Sequence, residues 1–354
     1  MTKVAIIIPT MNRPDFILRQ LKFYELMNSY HPVYLSDSSN EENARKLKDG
    51  LRGIKKINVV YQWAPPGKDN LHLLLPLVQE KYCIQMGDDD ILIPGLLSEC
   101  AEFLEKNPDY ATCAGKQINF SFQGNDYNKP YGIVDHKTSP HGRSLEDDNM
   151  LARIKEFWFD IGLNNSKVKI NNVGFICFTV RSVELEKTIR NITKHFSLTE
   201  HIMEFLATST LVISGKYKIL NKLGYVMQKN NNRYSFNHNL TVDVITEPEM
   251  SRKWEIAHKG FTEIIQNLGK TREESSIIAK WIFILYLARQ FTLEIDWIRV
   301  DQDKNQEKSV HPRKKLLKRI KRFVTRVVRG TTKEESKCYN DFKIVKEFLE
   351  KSND

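Results

Sequence analysis

The chain has 354 residues, 41% hydrophobic and 28% charged, with a net charge of +10. This is the composition of an ordinary soluble globular protein, long enough for one large domain and a smaller one. No run approaches the roughly 20 apolar residues of a spanning helix. The apolar start ends at Pro9, too short for a secretory leader. The five cysteines are scattered without metal-ligand spacing, which reads as reduced thiols in the cytosol. Nine Lys or Arg and no acid fall within residues 312–330, so the rest of the chain is nearly neutral.

Up to about residue 115 the pattern alternates between strand and helix. Residues 4–8 form a continuous β-branched run, expected as a strand buried on both faces. Residues 14–26 carry Phe16, Ile17, Leu21 and Tyr24 at helical spacing. Short strands are expected at 33–35, 57–61 and 82–86, and helices at 41–50, 71–78 and 94–106. This βαβαβαβ order predicts a doubly wound, mostly parallel sheet with helices on both faces. Residues 117–163 read as polar and loop-like, 173–180 as a strand, 197–208 as a helix, and 211–220 as a strand or strand pair. An Asn-rich stretch, 229–239, reads as a mobile loop. Residues 249–298 are helical in spacing, 301–309 a charged linker, and 341–351 a final short helix. The expected division is 1–245, a helical extension over 246–300, and a tail over 301–354.

Residues 85–95 read Gln-Met-Gly-Asp-Asp-Asp-Ile-Leu-Ile-Pro-Gly and carry the most chemistry. Three adjacent carboxylates close an apolar strand, where ligands of such sheets bind. Their mutual repulsion needs a reason, and hard carboxylate oxygens suit magnesium or manganese. A solvated loop capping the next helix is the plainer alternative. Pro9-Thr10 and Asp37-Ser38 end two other strands, so three separate loops point to one edge.

These pieces resemble the family 2 glycosyltransferases. The matching residues are Ile6-Ile7-Ile8-Pro9-Thr10-Met11-Asn12-Arg13-Pro14, Leu35-Ser36-Asp37-Ser38-Ser39, Gly87-Asp88-Asp89-Asp90 and Pro94-Gly95-Leu96-Leu97. The resemblance covers the N-terminal third and thins after about residue 125. It implies the glycosyltransferase A type of nucleotide-sugar-binding fold. It also implies inverting sugar transfer from a nucleotide-diphosphate donor, with a UDP-sugar the first choice. Asp90 and Asp88 would ligate the Mg2+ or Mn2+ that bridges the two phosphates. Asp88 would lie nearer the ribose or donor sugar, and Asp89 could take either job. Asp37 would accept from the base edge, with Pro9, Thr10 and Asn12 shaping the pocket and Arg13 able to pair with phosphate. Lys68, in Pro65-Pro66-Gly67-Lys68-Asp69-Asn70, is a further phosphate candidate, although Asp69 and Asn70 also suit a helix cap. The catalytic base falls on Glu200 by its position past the metal motif. Ser197 and Glu200 equally make a capping box, and Glu204, His201, Asp147 and Asp148 are other options.

Within residues 312–330, Leu316, Leu317, Ile320, Phe323, Val324, Val327 and Val328 form one apolar stripe among cations. Such a helix can lie on an anionic membrane surface or dock on the catalytic domain. Aromatic interleaving is nearly absent, which counts against nucleic acid. The membrane reading suits a cytoplasmic enzyme, peripheral at the inner face of a membrane, that extends a glycan or lipid-linked glycan in polysaccharide biosynthesis. Two other readings use the same residues: a sugar-phosphate nucleotidyltransferase, and a catalytically silent nucleotide-sugar-binding protein. The first would want a glycine-rich loop after the first strand, where Pro9-Thr10-Met11-Asn12 has none.

Overall fold

An unbroken apolar run makes β1 (Val4–Thr10), and in the computed structural model nearly all of it is buried. The structure describes residues 1–66, 70–125, 129–158, 179–193, 201–229, 248–306 and 333–351. On one side β1 pairs in parallel with β2 (Val33–Asp37), and β2 with β3 (Val59–Trp63). On the other side β1 pairs in parallel with β4 (Tyr82–Gln85), which carries a two-residue antiparallel strand at the edge. The register sets Thr10 opposite Asp37, and Asp37 opposite Trp63. Consecutive strand ends therefore lie side by side.

The helix α1 (Pro14–Leu26) starts on a proline and has Asp15 in its first turn, both favourable there. It buries Phe16, Ile17, Leu21, Phe23 and Tyr24, and ends before Asn28, whose φ is +49°. In α2 (Glu41–Leu51) the Asn40 side chain caps the first turn by accepting from the Asn43 amide at 2.9 Å. The helix expected over 71–78 is shorter. Helix α3 (Asn70–Leu74) gives way to a 3-10 turn, Leu75–Leu77, which contains Pro76. Residues Pro94–Leu96 likewise form a 3-10 turn before α4 (Leu97–Lys106).

Residues 117–163, expected as loop-like, carry regular elements among their described residues. They contribute to β6 (Tyr110–Phe122), β7 (Val134–His136) and α5 (Met150–Trp158). Residues 211–220, expected as a strand or strand pair, are helix as far as Ser214 and strand from Lys216. The sheet edge strand β8 (Arg181–Ser182) leads into α6 (Val183–Thr193), and α7 (His201–Ser214) runs past residue 211. Gly215 then turns the chain into β9 (Lys216–Gln228), at a point where a Cβ would lie 2.7 Å from the Ala111 amide nitrogen. The second sheet has the order β5-β9-β6-β7, where β5 is Ile91–Leu92 directly after the acidic turn. Strands β6 and β9 run parallel across 13 residues each and slip register beside Gly115, where Gly224 packs backbone to backbone.

Two long helices follow, α8 (Met250–Asn267) and α9 (Arg272–Gln306). The second continues through residues 301–306, which the charge pattern had marked as linker. The last helix, α10 (Lys333–Lys351), starts eight residues before the expected 341. Its Cys338, Phe342, Val345 and Leu349 join the same core as β1, β4, α1 and α4. A second core gathers α5 to α9, and a third lies on the other face of the first sheet. Among the described residues, no helix is long and apolar enough to cross a membrane.

Candidate functional site

The loops after β1, β2 and β4 are tied together at the carboxyl edge of the first sheet. The Thr10 hydroxyl donates to Asp88 Oδ2 at 2.9 Å. The Ser38 amide donates to the Thr10 carbonyl at 2.9 Å. Asn12 sits at φ +58°, a strained conformation for a non-glycine residue. There its amide donates to Ser39 Oγ at 2.7 Å, and its Oδ1 accepts from the Asn40 amide at 3.0 Å. Pro9 precedes these contacts, paired in register with Ser36.

At the β2 end, Asp37 is fully buried and accepts from the Ser39 amide at 2.9 Å and the Tyr61 hydroxyl at 2.7 Å. The Trp63 indole donates to the Ser39 carbonyl at 2.9 Å, which places an aromatic ring beside this loop. At the β4 end, Arg13 Nη1 meets Asp88 Oδ1 at 2.6 Å and Asp89 Oδ2 at 3.4 Å. Its guanidinium stands 4.2 Å from the centre of the Phe16 ring. Burial pushes the Asp88 carboxyl up to about 6, opposed by Arg13 and reinforced by Asp89.

Beneath this turn lies a fully buried arginine that the sequence reading passed over. Arg19 Nη2 donates to the Asp89 carbonyl at 2.6 Å, and Nη1 to the Pro130 carbonyl at 2.7 Å and Gln228 Oε1 at 2.9 Å. Its neighbour Gln20 donates to the Gly87 carbonyl at 2.6 Å. Burial lowers the Arg19 guanidinium to about 10, while Asp89 and Asp90 act to raise it. The signal was available, since Arg19 and Gln20 lie on α1 within the stripe of Phe16, Ile17, Leu21 and Tyr24. A cation on an apolar face needs partners. On the other sheet face, Glu186 is fully buried between Arg181 and Arg190, at 2.5 and 2.9 Å. Burial alone would raise its carboxyl, but the two guanidiniums hold it below the usual range. Arg190 also binds the Gln85 side chain, two residues before Gly87.

The structure thus gathers Thr10, Asn12, Arg13, Asp37, Asp88 and Asp89. Asp90 turns elsewhere: it is 2% exposed, and its Oδ1 accepts from the Gln228 amide at 3.0 Å. Lys68, Glu200 and residues 312–330 lie outside the described residues, as does most of the stretch expected as a strand at 173–180. Asp147 accepts from the Asn149 amide at the start of α5, and Asp148 pairs with Lys216 at 2.5 Å.

Among the described residues, no group of three His, Cys, Asp or Glu could hold a metal ion by itself. The donor chemistry still suits a hard cation completed by ligand phosphates, because magnesium commonly takes only one or two protein carboxylates. Asp89 is the acid least committed to neighbours here, with Arg13 at 3.4 Å as its nearest charge.

No family model matches the sequence, and no curated protein matches it. Among solved structures, the fold is similar to residues 1–349 of S. aureus TarS in complex with UDP-GlcNAc, with 11% identity and a TM-score of 0.43. That likeness covers 84% of this chain and 92% of the other. The same protein in complex with UDP is 12% identical with a TM-score of 0.41, covering 88% and 93%. A longer S. aureus TarS chain is 12% identical at 0.39, covering 74% of this chain and 43% of that one.

Proposed function

We propose that this protein is a glycosyltransferase that moves a sugar, with inversion, from a UDP-sugar to a glycan or lipid-linked glycan. The observation that carries the reading is the stapling of three parallel-strand ends into one floor, through Thr10–Asp88 and Asn12–Ser39. Together with the motif resemblance, it gives each donor part a partner. The rigid Asp37 loop, with Tyr61 and Trp63, suits the nucleobase, and Asp88 the ribose or sugar hydroxyls.

Loss of a diphosphate leaves charge that must be neutralised. Arg13 is the cation on hand, held by Asp88 and Asp89 and partly exposed, so a diphosphate can recruit it in bidentate fashion. A divalent cation would be held by Asp88 or Asp89 together with the phosphates, and would supply further charge neutralisation. Asp90 would join it only by becoming accessible from its buried position, where Oδ1 accepts from the Gln228 amide. Arg19 keeps the acidic turn in place from below. Lys68 remains the proposed second phosphate contact and Glu200 the proposed base for the acceptor hydroxyl. Residues 312–330 would hold the enzyme on an anionic membrane surface on the cytoplasmic side.

The test is release of nucleotide and transfer of sugar from a panel of nucleotide sugars, with manganese present. UDP-sugars should turn over, and Asp89→Ala should lower kcat by about a hundredfold or more, the usual scale for a transition-state charge contact. Turnover unchanged in Asp89→Ala would remove Asp89 from the mechanism, and no turnover with any donor while UDP still binds would sink the transferase reading.

A further inference from the structure

Arg13 stands where two acids of the turn converge. Its Nη1 meets Asp88 Oδ1 at 2.6 Å and Asp89 Oδ2 at 3.4 Å, so one guanidinium bridges two carboxylates. The remaining Asp88 oxygen accepts from the Thr10 hydroxyl at 2.9 Å. Arg13 is the most exposed of the three side chains, at 29% against 11% for Asp88 and 15% for Asp89. A ligand arriving from solvent therefore meets the guanidinium before it meets the acids.

The root of this side chain is fixed and its head is not. The Arg13 carbonyl accepts from the Phe16 and Ile17 amides at 3.2 and 3.4 Å, and Asn12 before it is tied to Ser39 and Asn40. Among the described residues, the polar partners of the guanidinium are Asp88 and Asp89 alone, with the Phe16 ring alongside. Arg19 is the opposite case, fully buried and donating to Pro130, Gln228 and Asp89, so it stays in place. Together the two arginines set their positive charges against Asp88, Asp89 and Asp90, which leaves one net negative charge in this group.

That balance is poor for a divalent cation arriving alone. Magnesium sits about 2 Å from its oxygen ligands, so on Asp88 Oδ1 it would lie within about 5 Å of the guanidinium nitrogen that is 2.6 Å from the same oxygen. Like charges that close, in a partly buried site, repel strongly. A diphosphate changes the balance, because its oxygens offer the planar guanidinium a bidentate alternative. We propose that Arg13 is a built-in counter-ion that competes with a divalent cation for Asp88 and Asp89, and that a nucleoside diphosphate relieves the competition by drawing the guanidinium onto its phosphates. The diphosphate half rests on the donor reading above, whereas the competition between the two cations stands apart from it. Cation and nucleotide then raise one another's affinity by the same factor.

The test is Mn2+ binding to the full chain, read from the electron paramagnetic resonance of the free ion, with and without UDP and with the Mn2+ held by free UDP subtracted. The unsubstituted chain should hold Mn2+ about tenfold or more tightly when UDP is bound, the ordinary scale of coupling between two ligands. Arg13→Gln should bind Mn2+ alone about tenfold more tightly than the unsubstituted chain, and the gain from UDP should shrink. Adding Asp89→Asn should remove that tight binding, which places it at the acidic turn. Arg13→Lys, which keeps the charge, should stay within about threefold of the unsubstituted chain, and this separates charge from a change of shape. Mn2+ binding by Arg13→Gln that is no tighter overturns the proposal. So does tight binding that survives Asp89→Asn, or Mn2+ affinity indifferent to bound UDP. Absence of UDP binding, with Arg13→Gln still tightening Mn2+, would sink the donor reading while supporting the competition.

Discussion

His31 shows how one buried side chain ties folding to pH. Its Nδ1 accepts from the Val4 amide at 3.1 Å, so the ring is neutral at the base of the first sheet. Burial lowers it to about 4. Because the folded value lies below the unfolded one, its contribution to stability is complete above about 6.5 and is lost as pH falls through about 4. We expect stability from urea unfolding to drop by on the order of 2–3 kcal/mol over that window from this group. His31→Asn should flatten the slope there, and an unchanged slope would count against the assignment. The sequence marked His31 in no way, because its role comes from one amide 27 residues away. The same holds for Arg19, although a cation within the apolar stripe of α1 was a readable warning.

At the scale of elements, the strands and helices up to residue 106 were legible because each buries a face with its own period. Strand β6 was not: the alternation of Gln117, Asn119 and Ser121 with Ile118, Phe120 and Phe122 has a strand's period of two, but the buried polar Gln117 and Ser121 give it the composition of a loop. That polarity is tolerated because the second sheet pairs its backbone on both sides and a hydroxyl of Tyr225 reaches the Gln117 side chain. Helix α10 was legible from residue 341 onward, where Phe342, Val345 and Leu349 mark the buried side. Its docking was not. Phe348 packs on Phe23 and Tyr131, with ring centres at 5.2 and 5.9 Å, and the Leu349 carbonyl accepts from the Gly132 amide at 3.2 Å. Leu349→Ala should therefore cost about 2–5 kcal/mol in denaturant unfolding, the range for a buried leucine. A change below about 1 kcal/mol would mean that α10 is not part of this core.

At the scale of the molecule, the placement of α10 decides how the proposed membrane contact must be tested. Deleting everything after residue 311 would strip Phe342, Val345 and Leu349 from the first core along with the cations. Charge substitution is cleaner. Replacing Lys314, Lys315, Lys318 and Arg319 by Gln should move the protein from anionic vesicle pellets to the supernatant, each cation contributing up to about 1 kcal/mol. Pelleting that persists would remove these cations as the anchor.

The sequence alone determined the alternation of strands and helices and the acids at a strand end, because periodicity and charge are local properties. Only the tertiary structure decided what those residues face: Asp88 meets Thr10 from 78 residues away, and Asp90 meets the Gln228 amide from 138. Such pairings depend on strand register and on which faces are buried, and these are settled when distant segments pack.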